Sequence, residues 1–266
     1  MTDHALPDLD PGKFPILSGV ERPFFEYWWQ NIISPDDPQK LRWVDLEERQ
    51  PLQVGEYAER LQLALPLKGA RVLDIGCQNG ATLVALLERG AVPTGIEIDA
   101  RCVEAARIRM RCHGMDADVR AGSACAMPFA DGAFDAVLAS NVIEHVESKT
   151  ALLDEVCRVL RPGGVLYIDG PNRFSPRNFW SDPHYQLVGV SALPAWLSRA
   201  YVTKVRRFPT YDAETFPLGS AICQMLEARG FSLLPVLDAK PRRMPALLRR
   251  IRIDLVPMFL FLAQKN

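Results

Sequence analysis

Apolar positions along the chain change period several times, and each change marks an element. Residues 71–75 form a short, almost wholly apolar run, which predicts a buried strand. Residues 81–89 place Leu83, Leu86 and Leu87 on one helical face, and Gly90 follows as the stop. The pattern then predicts a strand at 92–98, a helix at 100–112 with Gly114 just beyond it, and brief strands at 118–121 and 134–139. A helix at 149–160 ends in Arg161-Pro162-Gly163-Gly164, and a fifth strand follows at 165–169. Further on come a helix at 218–229, capped by Gly230, and two final strands at 231–237 and 255–263, with a short amphipathic stretch at 245–253 between them. Strands alternating with helices of this length build βαβ units. The expected fold is therefore α/β: a doubly wound, mostly parallel, seven-stranded sheet with a ligand crevice outside the carboxyl ends of its strands.

Two stretches break this rhythm. Residues 1 to about 50 read as an irregular, proline-dotted arm carrying the aromatic cluster Phe24, Phe25, Tyr27, Trp28 and Trp29. That cluster either packs on the main domain or forms a lid. A helix is expected at 54–65, ended by Pro66. Residues 171–211 follow a strand end and are rich in Pro, aromatics and Arg, so a loop-rich insert over the crevice is expected there. The organisation read from this is an N-terminal arm and cap, 1–54, and a ligand-binding domain, 55–266, with a substrate-cap insert at 171–211.

Composition narrows the classes. In 266 residues, 48% are apolar, enough for a substantial core, and the net charge of -1 argues against a general nucleic-acid binder. None of the six cysteines forms a C-x-x-C pair or has a histidine at ligand spacing, so no metal site is expected. Scattered thiols and the lack of a signal-like start suit a cytoplasmic protein. Residues 240–252 carry Lys240, Arg242, Arg243, Arg249, Arg250 and Arg252 with no acid among them. This segment either makes a weak peripheral contact with an anionic membrane or is the solvated face of a packed helix.

The chemistry concentrates at four places. In Val72-Leu73-Asp74-Ile75-Gly76-Cys77-Gln78-Asn79-Gly80 a buried strand delivers an acid, and a glycine turn then opens a helix whose free N–H groups can receive a carboxylate. The dinucleotide pattern G-x-G-x-x-G is not met, because Gln78 holds the middle position and the third glycine is absent. In Gly95-Ile96-Glu97-Ile98-Asp99, Glu97 stands at a strand end, where an acid can grip ribose hydroxyls, and Asp99 is expected as a helix cap, with a ligand contact as the alternative. The third place is Ala121-Gly122-Ser123-Ala124-Cys125-Ala126-Met127-Pro128-Phe129. The fourth runs from Phe134-Asp135-Ala136-Val137 to Ser140-Asn141-Val142-Ile143-Glu144-His145-Val146 and the Arg161-Pro162-Gly163-Gly164 turn.

These four segments, in this order, resemble the class I S-adenosylmethionine-dependent methyltransferases, in particular the type 11 group of small-molecule enzymes. The resemblance implies S-adenosyl-L-methionine as methyl donor and S-adenosyl-L-homocysteine as product. It implies donor contacts from Asp74, Gly76, Cys77, Gln78, Gly80, Glu97, Ile98, Gly122, Ser123, Ala124 and Asn141. Gln78 stands where the family has Gly. Ser123 stands where it has an Asp that binds the adenine amino group, so a weaker adenine contact is expected.

Methyl transfer is an in-line displacement, and a general base is needed only if the acceptor keeps its proton. His145, beyond the fourth strand, is the first candidate base, or else an orienting residue. His184, in the insert, is the second candidate, or an acceptor-facing or surface histidine. Asn172 and Arg173 are candidates for binding the acceptor's polar groups, with a side-chain-held turn as the other account of Asn172. The expected reaction is methylation of O, N or C on a small molecule of quinone-like, lipid or sugar-derived type, by a monomer or homodimer. Two alternatives stay open: a non-catalytic S-adenosylmethionine binder and a nicotinamide-dependent oxidoreductase.

Overall fold

The computed structural model describes residues 16, 19–34, 37, 39–206, 208, 211, 213, 216–234 and 253–266. Its seven strands follow the order β3-β2-β1-β4-β5-β7-β6, and the chain divides into two compact units, Met1–Pro128 and Phe129–Asn266.

The first unit holds helices α1 (Arg22–Asn31), α2 (Lys40–Gln62), α3 (Ala81–Glu88) and α4 (Ala100–Cys112), with strands β1 (Arg71–Ile75), β2 (Val92–Glu97) and β3 (Asp118–Ala121). β1 pairs in parallel with β2 from Arg71↔Val92 to Ile75↔Ile96, and β2 with β3 from Thr94↔Asp118 to Glu97↔Ala121. Parallel pairing brings the carboxyl ends of β1 and β2 side by side, so Asp74 and Glu97 arrive close together.

The irregular arm expected at 1–50 is corrected here. Residues 22–31 and 40–62 are helical, and α2 begins 14 residues before the helix expected at 54. Pro23 sits in the first turn of α1, where its missing N–H does no harm. Pro51 lies inside α2, which nevertheless continues because buried residues flank it on both sides: Val44 and Glu47 before, Val54, Tyr57, Ala58 and Leu61 after. The aromatic cluster is core rather than lid: Phe24, Phe25, Trp28 and Trp29 are buried with Val44 and Ala105.

The second unit holds β4 (Phe134–Ser140), α5 (Lys149–Val159), β5 (Leu160–Pro171), α6 (Pro176–Trp180), α7 (Ala195–Ala200), α8 (Gly219–Glu227), β6 (Phe231–Leu234) and β7 (Met258–Lys265). β4 and β5 are parallel, while β7 runs antiparallel between β5 and β6. The insert contains α6, α7, a 3-10 turn at Val190–Ala192 and a π turn at Tyr201–Val205. Leu187, Val190, Val202 and Tyr211 of the insert pack together with Ala213 and Phe216, which follow it. Among the described residues no helix is long and apolar enough to cross a membrane. The basic segment 240–252, the stretch 245–252 and the end of the strand expected at 231–237 lie outside the described residues.

Candidate active site

In the first unit the loop after β1 folds back on β2. The Gly76 N–H donates to the Ile96 carbonyl at 2.8 Å, and the Cys77 N–H to the same oxygen at 3.3 Å. Gly76, Gln78 and Gly80 all have positive φ, at 67°, 44° and 81°. The left-handed region disfavours a side chain by about 1–2 kcal/mol, so Gln78 needs external support. Its N–H finds it in the Glu97 carboxylate, donating to Oε2 at 3.1 Å, while the Asp99 N–H donates to Glu97 Oε1 at 3.0 Å. A carboxylate has about four acceptor positions, so Glu97 is fixed by two backbone groups and retains capacity for two ligand hydroxyls. A Cβ on Gly95 would fall 2.6 Å from Cys77 Sγ, so strand and loop are in closest approach there.

Asp74 is buried, and its Oδ2 has no hydrogen-bond partner among the described residues. Burial, and then the nearby Glu97 charge, push its carboxyl well above the usual carboxylate range, against a hydrogen bond from Thr82. A buried acid of this kind has an open demand for a cation or an N–H donor. Burial pushes the Cys77 thiol up in the same way. Asp99 caps α4, accepting the Arg101 N–H at 2.8 Å. The Ser123 hydroxyl accepts the Cys125 N–H at 3.1 Å, and Gly122 N–H donates to the Glu97 carbonyl at 2.9 Å. Ile98 is 77% exposed although it directly follows the buried Glu97.

In the second unit Asn141, directly after β4, also has positive φ, 52°. Asp169 holds this turn by accepting the Asn141 N–H at 3.0 Å, the Ser140 hydroxyl at 2.9 Å and the Tyr167 hydroxyl at 2.7 Å. Just beyond it three side chains converge. His145 Nε2 and His184 Nε2 are 3.2 Å apart, and they lie 3.8 and 3.9 Å from Glu144 Oε1. Glu144 is fully buried, and neither of its oxygens meets a hydrogen-bond partner on another residue among those described. Burial pushes its carboxyl up to about 7 despite the opposing His145 charge. Asp182 sets the His184 loop: its two oxygens accept the N–H groups of His184, Tyr185 and Leu187 at 3.0, 2.8 and 2.7 Å.

A family model for a methyltransferase domain matches residues 73–168, which spans both the β1 loop and the Glu144-His145 turn. The ubiquinone biosynthesis O-methyltransferase of Dinoroseobacter shibae is 30% identical over 209 residues, covering 79% of this chain and 82% of that one. The chain belongs to the class I S-adenosylmethionine-dependent methyltransferases of the type 11 group. Among solved structures, an S-adenosylmethionine-dependent methyltransferase from Methanosarcina mazei shares the fold with a TM-score of 0.54 at 20% identity, over 77% of this chain and 96% of that one. A geranyl diphosphate methyltransferase, solved with S-adenosylmethionine bound, gives 0.57 at 16% identity, over 88% and 93%.

This methyltransferase therefore uses S-adenosylmethionine and methylates a small-molecule acceptor. The β1 loop suits that donor on its own evidence: a buried acid with one oxygen unmet among the described residues, and a backbone-anchored glutamate with acceptor positions to spare. Sequence reading named His145 and His184 separately but missed that they meet, and it missed Glu144 as the third member; the Glu-His dipeptide was the available signal. Asn172 serves the scaffold. It is fully buried, its amide donates to the Ile253 and Val256 carbonyls at 2.9 Å each, and its Oδ1 accepts the Gly219 N–H at 2.8 Å. These contacts tie the Asn172 turn to distant elements rather than closing it locally. Arg173 Nη2 donates to the Ala192 carbonyl at 3.3 Å, and its buried Nε has no partner among the described residues. Glu144, His145 and His184 also offer one ligand atom each within 4.8 Å of one another, a set the cysteine spacing gave no reason to look for.

Proposed function

We propose that this enzyme methylates a hydroxyl oxygen on the ring of a quinone-like small molecule. The observation that carries the reading is the Glu144–His145–His184 cluster, with two imidazole nitrogens 3.2 Å apart beside a buried carboxyl. A ring hydroxyl holds its proton at neutral pH, with a pKa of about 10 as in tyrosine, and must release it to become a strong nucleophile. The O-methyl chemistry in the name of the Dinoroseobacter relative supports this reading.

S-adenosylmethionine, when bound, supplies a methyl group already activated by its sulfonium. Asp74 accepts from the donor's ammonium, and the N–H groups at the start of α3, beyond Cys77, Gln78 and Gly80, receive its carboxylate. Glu97 accepts the ribose hydroxyls. Ile98 and residues Gly122, Ser123 and Ala124 border the adenine. Asn141, held by Asp169, sets the turn that carries the cluster. His145 takes the acceptor's proton, His184 shares it across the 3.2 Å contact, and Glu144, whose carboxyl is raised to about 7, stabilises the resulting charge in its ionised form. The spare Nε of Arg173 donates to an acceptor oxygen.

The test is incubation with methyl-labelled donor and a panel of catechols, hydroquinones, amines and carbon acids, with the methylated atom located by NMR. Ring O-methylation is expected, and His145→Asn should lower kcat about 100-fold with the donor KM unchanged. Methylation confined to nitrogen or carbon sinks the proposal. A second reading takes the same three side chains as ligands for a divalent cation, because their ligand atoms converge within 4.8 Å. In that case chelation abolishes activity and a divalent metal restores it. Activity that survives chelation leaves the proton relay.

A further inference from the structure

We propose that Glu47 on α2 and Arg109 on α4 are positioning residues for the donor loop, acting through Asn79, so that the N-terminal helices form part of the donor-binding machinery. The inference rests on reading residues 76–80 as the donor loop and is independent of the acceptor.

Arg109 is 1% exposed, and a guanidinium so buried persists only if its donors are met. Its Nε and Nη2 fork onto Glu21 Oε1 and Oε2 at 2.9 and 3.1 Å, and its Nη1 donates to Gln50 Oε1 at 3.0 Å. Nη2 also donates to Glu47 Oε1. The guanidinium carbon lies 3.8 Å from the Phe24 ring centroid. Three separate elements, the approach to α1, helix α2 and helix α4, are therefore tied at one buried cation.

The tie reaches the loop at Asn79. Its Nδ2 donates to Glu47 Oε2 at 2.7 Å, with both side chains buried, and its carbonyl lies 3.5 Å from Arg109 Nη1. A carboxylate only accepts, so Glu47 dictates which way the Asn79 amide faces. Its Oδ1 is then turned away from Glu47, buried and without a partner among the described residues. Asn79 stands between Gln78 and Gly80, both with positive φ. A loop with alternate left-handed residues does not hold its shape by local preference, and here the restraint comes from outside it. The same helix closes the other side: a Cβ on Gly80 would fall 2.8 Å from Ala106 Cβ. One turn of α4 thus presses on the loop through Ala106 while the next grips it through Arg109 and Glu47.

Asn79→Ala removes the side-chain tie between the loop and the network, leaves only the long contact from Arg109 Nη1 to the residue 79 carbonyl, and leaves Arg109 both of its carboxylates. The measurement is the Kd for S-adenosylhomocysteine by titration calorimetry, beside the melting temperature of the ligand-free protein. A rise of about tenfold in Kd is expected, with a matching rise in donor KM, kcat at saturating donor within about twofold, and a modest fall in melting temperature because Glu47 Oε2 loses its buried donor. A second pair of variants separates positioning from packing. Asn79→Asp sets two carboxylates face to face and should weaken binding further. Adding Glu47→Gln reverses the direction of the hydrogen bond and should return the Kd to within about threefold of the parent. The proposal is overturned if Asn79→Ala binds within twofold of the parent, or if the double variant binds no better than Asn79→Asp alone. If the parent itself fails to bind S-adenosylhomocysteine, the loop assignment falls and takes this proposal with it.

Discussion

Replacing Glu144 by glutamine removes one ionisable oxygen pair from a fully buried place and leaves the shape almost unchanged. Burial raises the Glu144 carboxyl from 4.5 to about 7, with the charges of His145 and Lys149 opposing and that of Asp169 assisting. The folded-state value lies above the unfolded one, so the contribution to stability is complete below about pH 4.5 and is lost as pH rises through 7. Over that window the unfolded chain has released the proton and the folded chain still holds it. Each pH unit then lowers stability by about 1.4 kcal/mol. Between pH 5 and pH 8 the loss sums to about 2.5 kcal/mol. Glutamine is neutral throughout and escapes it. The unfolding free energy of Glu144→Gln minus that of the parent should therefore grow by about 2.5 kcal/mol from pH 5 to pH 8, measured by urea denaturation of chelator-treated protein. Taking the difference cancels the titration common to both proteins. A difference that stays flat within about 0.5 kcal/mol would refute the argument that burial keeps this carboxyl protonated.

Glu97→Ala removes the acceptor of the Gln78 and Asp99 N–H groups together with the proposed ribose clasp, and donor affinity should fall at least tenfold by calorimetry; unchanged affinity refutes the clasp. Gly95→Ala puts a Cβ 2.6 Å from Cys77 Sγ and 3.1 Å from Leu83 Cδ1, so an overpacking loss of about 1–3 kcal/mol is expected in urea unfolding. Adding Cys77→Ala should recover most of that loss, and a Gly95→Ala protein as stable as the parent would contradict the contact.

The periodic middle of the chain was legible. The helix expected at 100–112 and the strand at 118–121 have the observed bounds, because local preference, apolar period and glycine stops agree there. The N-terminal helices were not, because their evidence is tertiary. Pro23 and Pro51 read as breakers, while the burial that overrides Pro51 depends on residues far away in sequence. Arg109 reads as an ordinary surface residue on a basic helix, and nothing near it in the chain announces Glu21 or Glu47, 88 and 62 positions earlier. At the site, the glycine turn and Glu97 were visible because a strand end fixes their place. The meeting of His145 with His184 was not, because 39 residues separate them and the Asp182 loop that aims His184 has no period to read.

The close seating of Cys77 under Gly95 turns that sulfur into a built-in reporter. Its thiol is buried and its ionisation suppressed, so an alkylating reagent reaches it only while the turn is lifted away from the strand. Its labelling rate therefore counts excursions of the proposed donor loop, and slowing of that rate by added nucleoside would give occupancy without any need to know what receives the methyl.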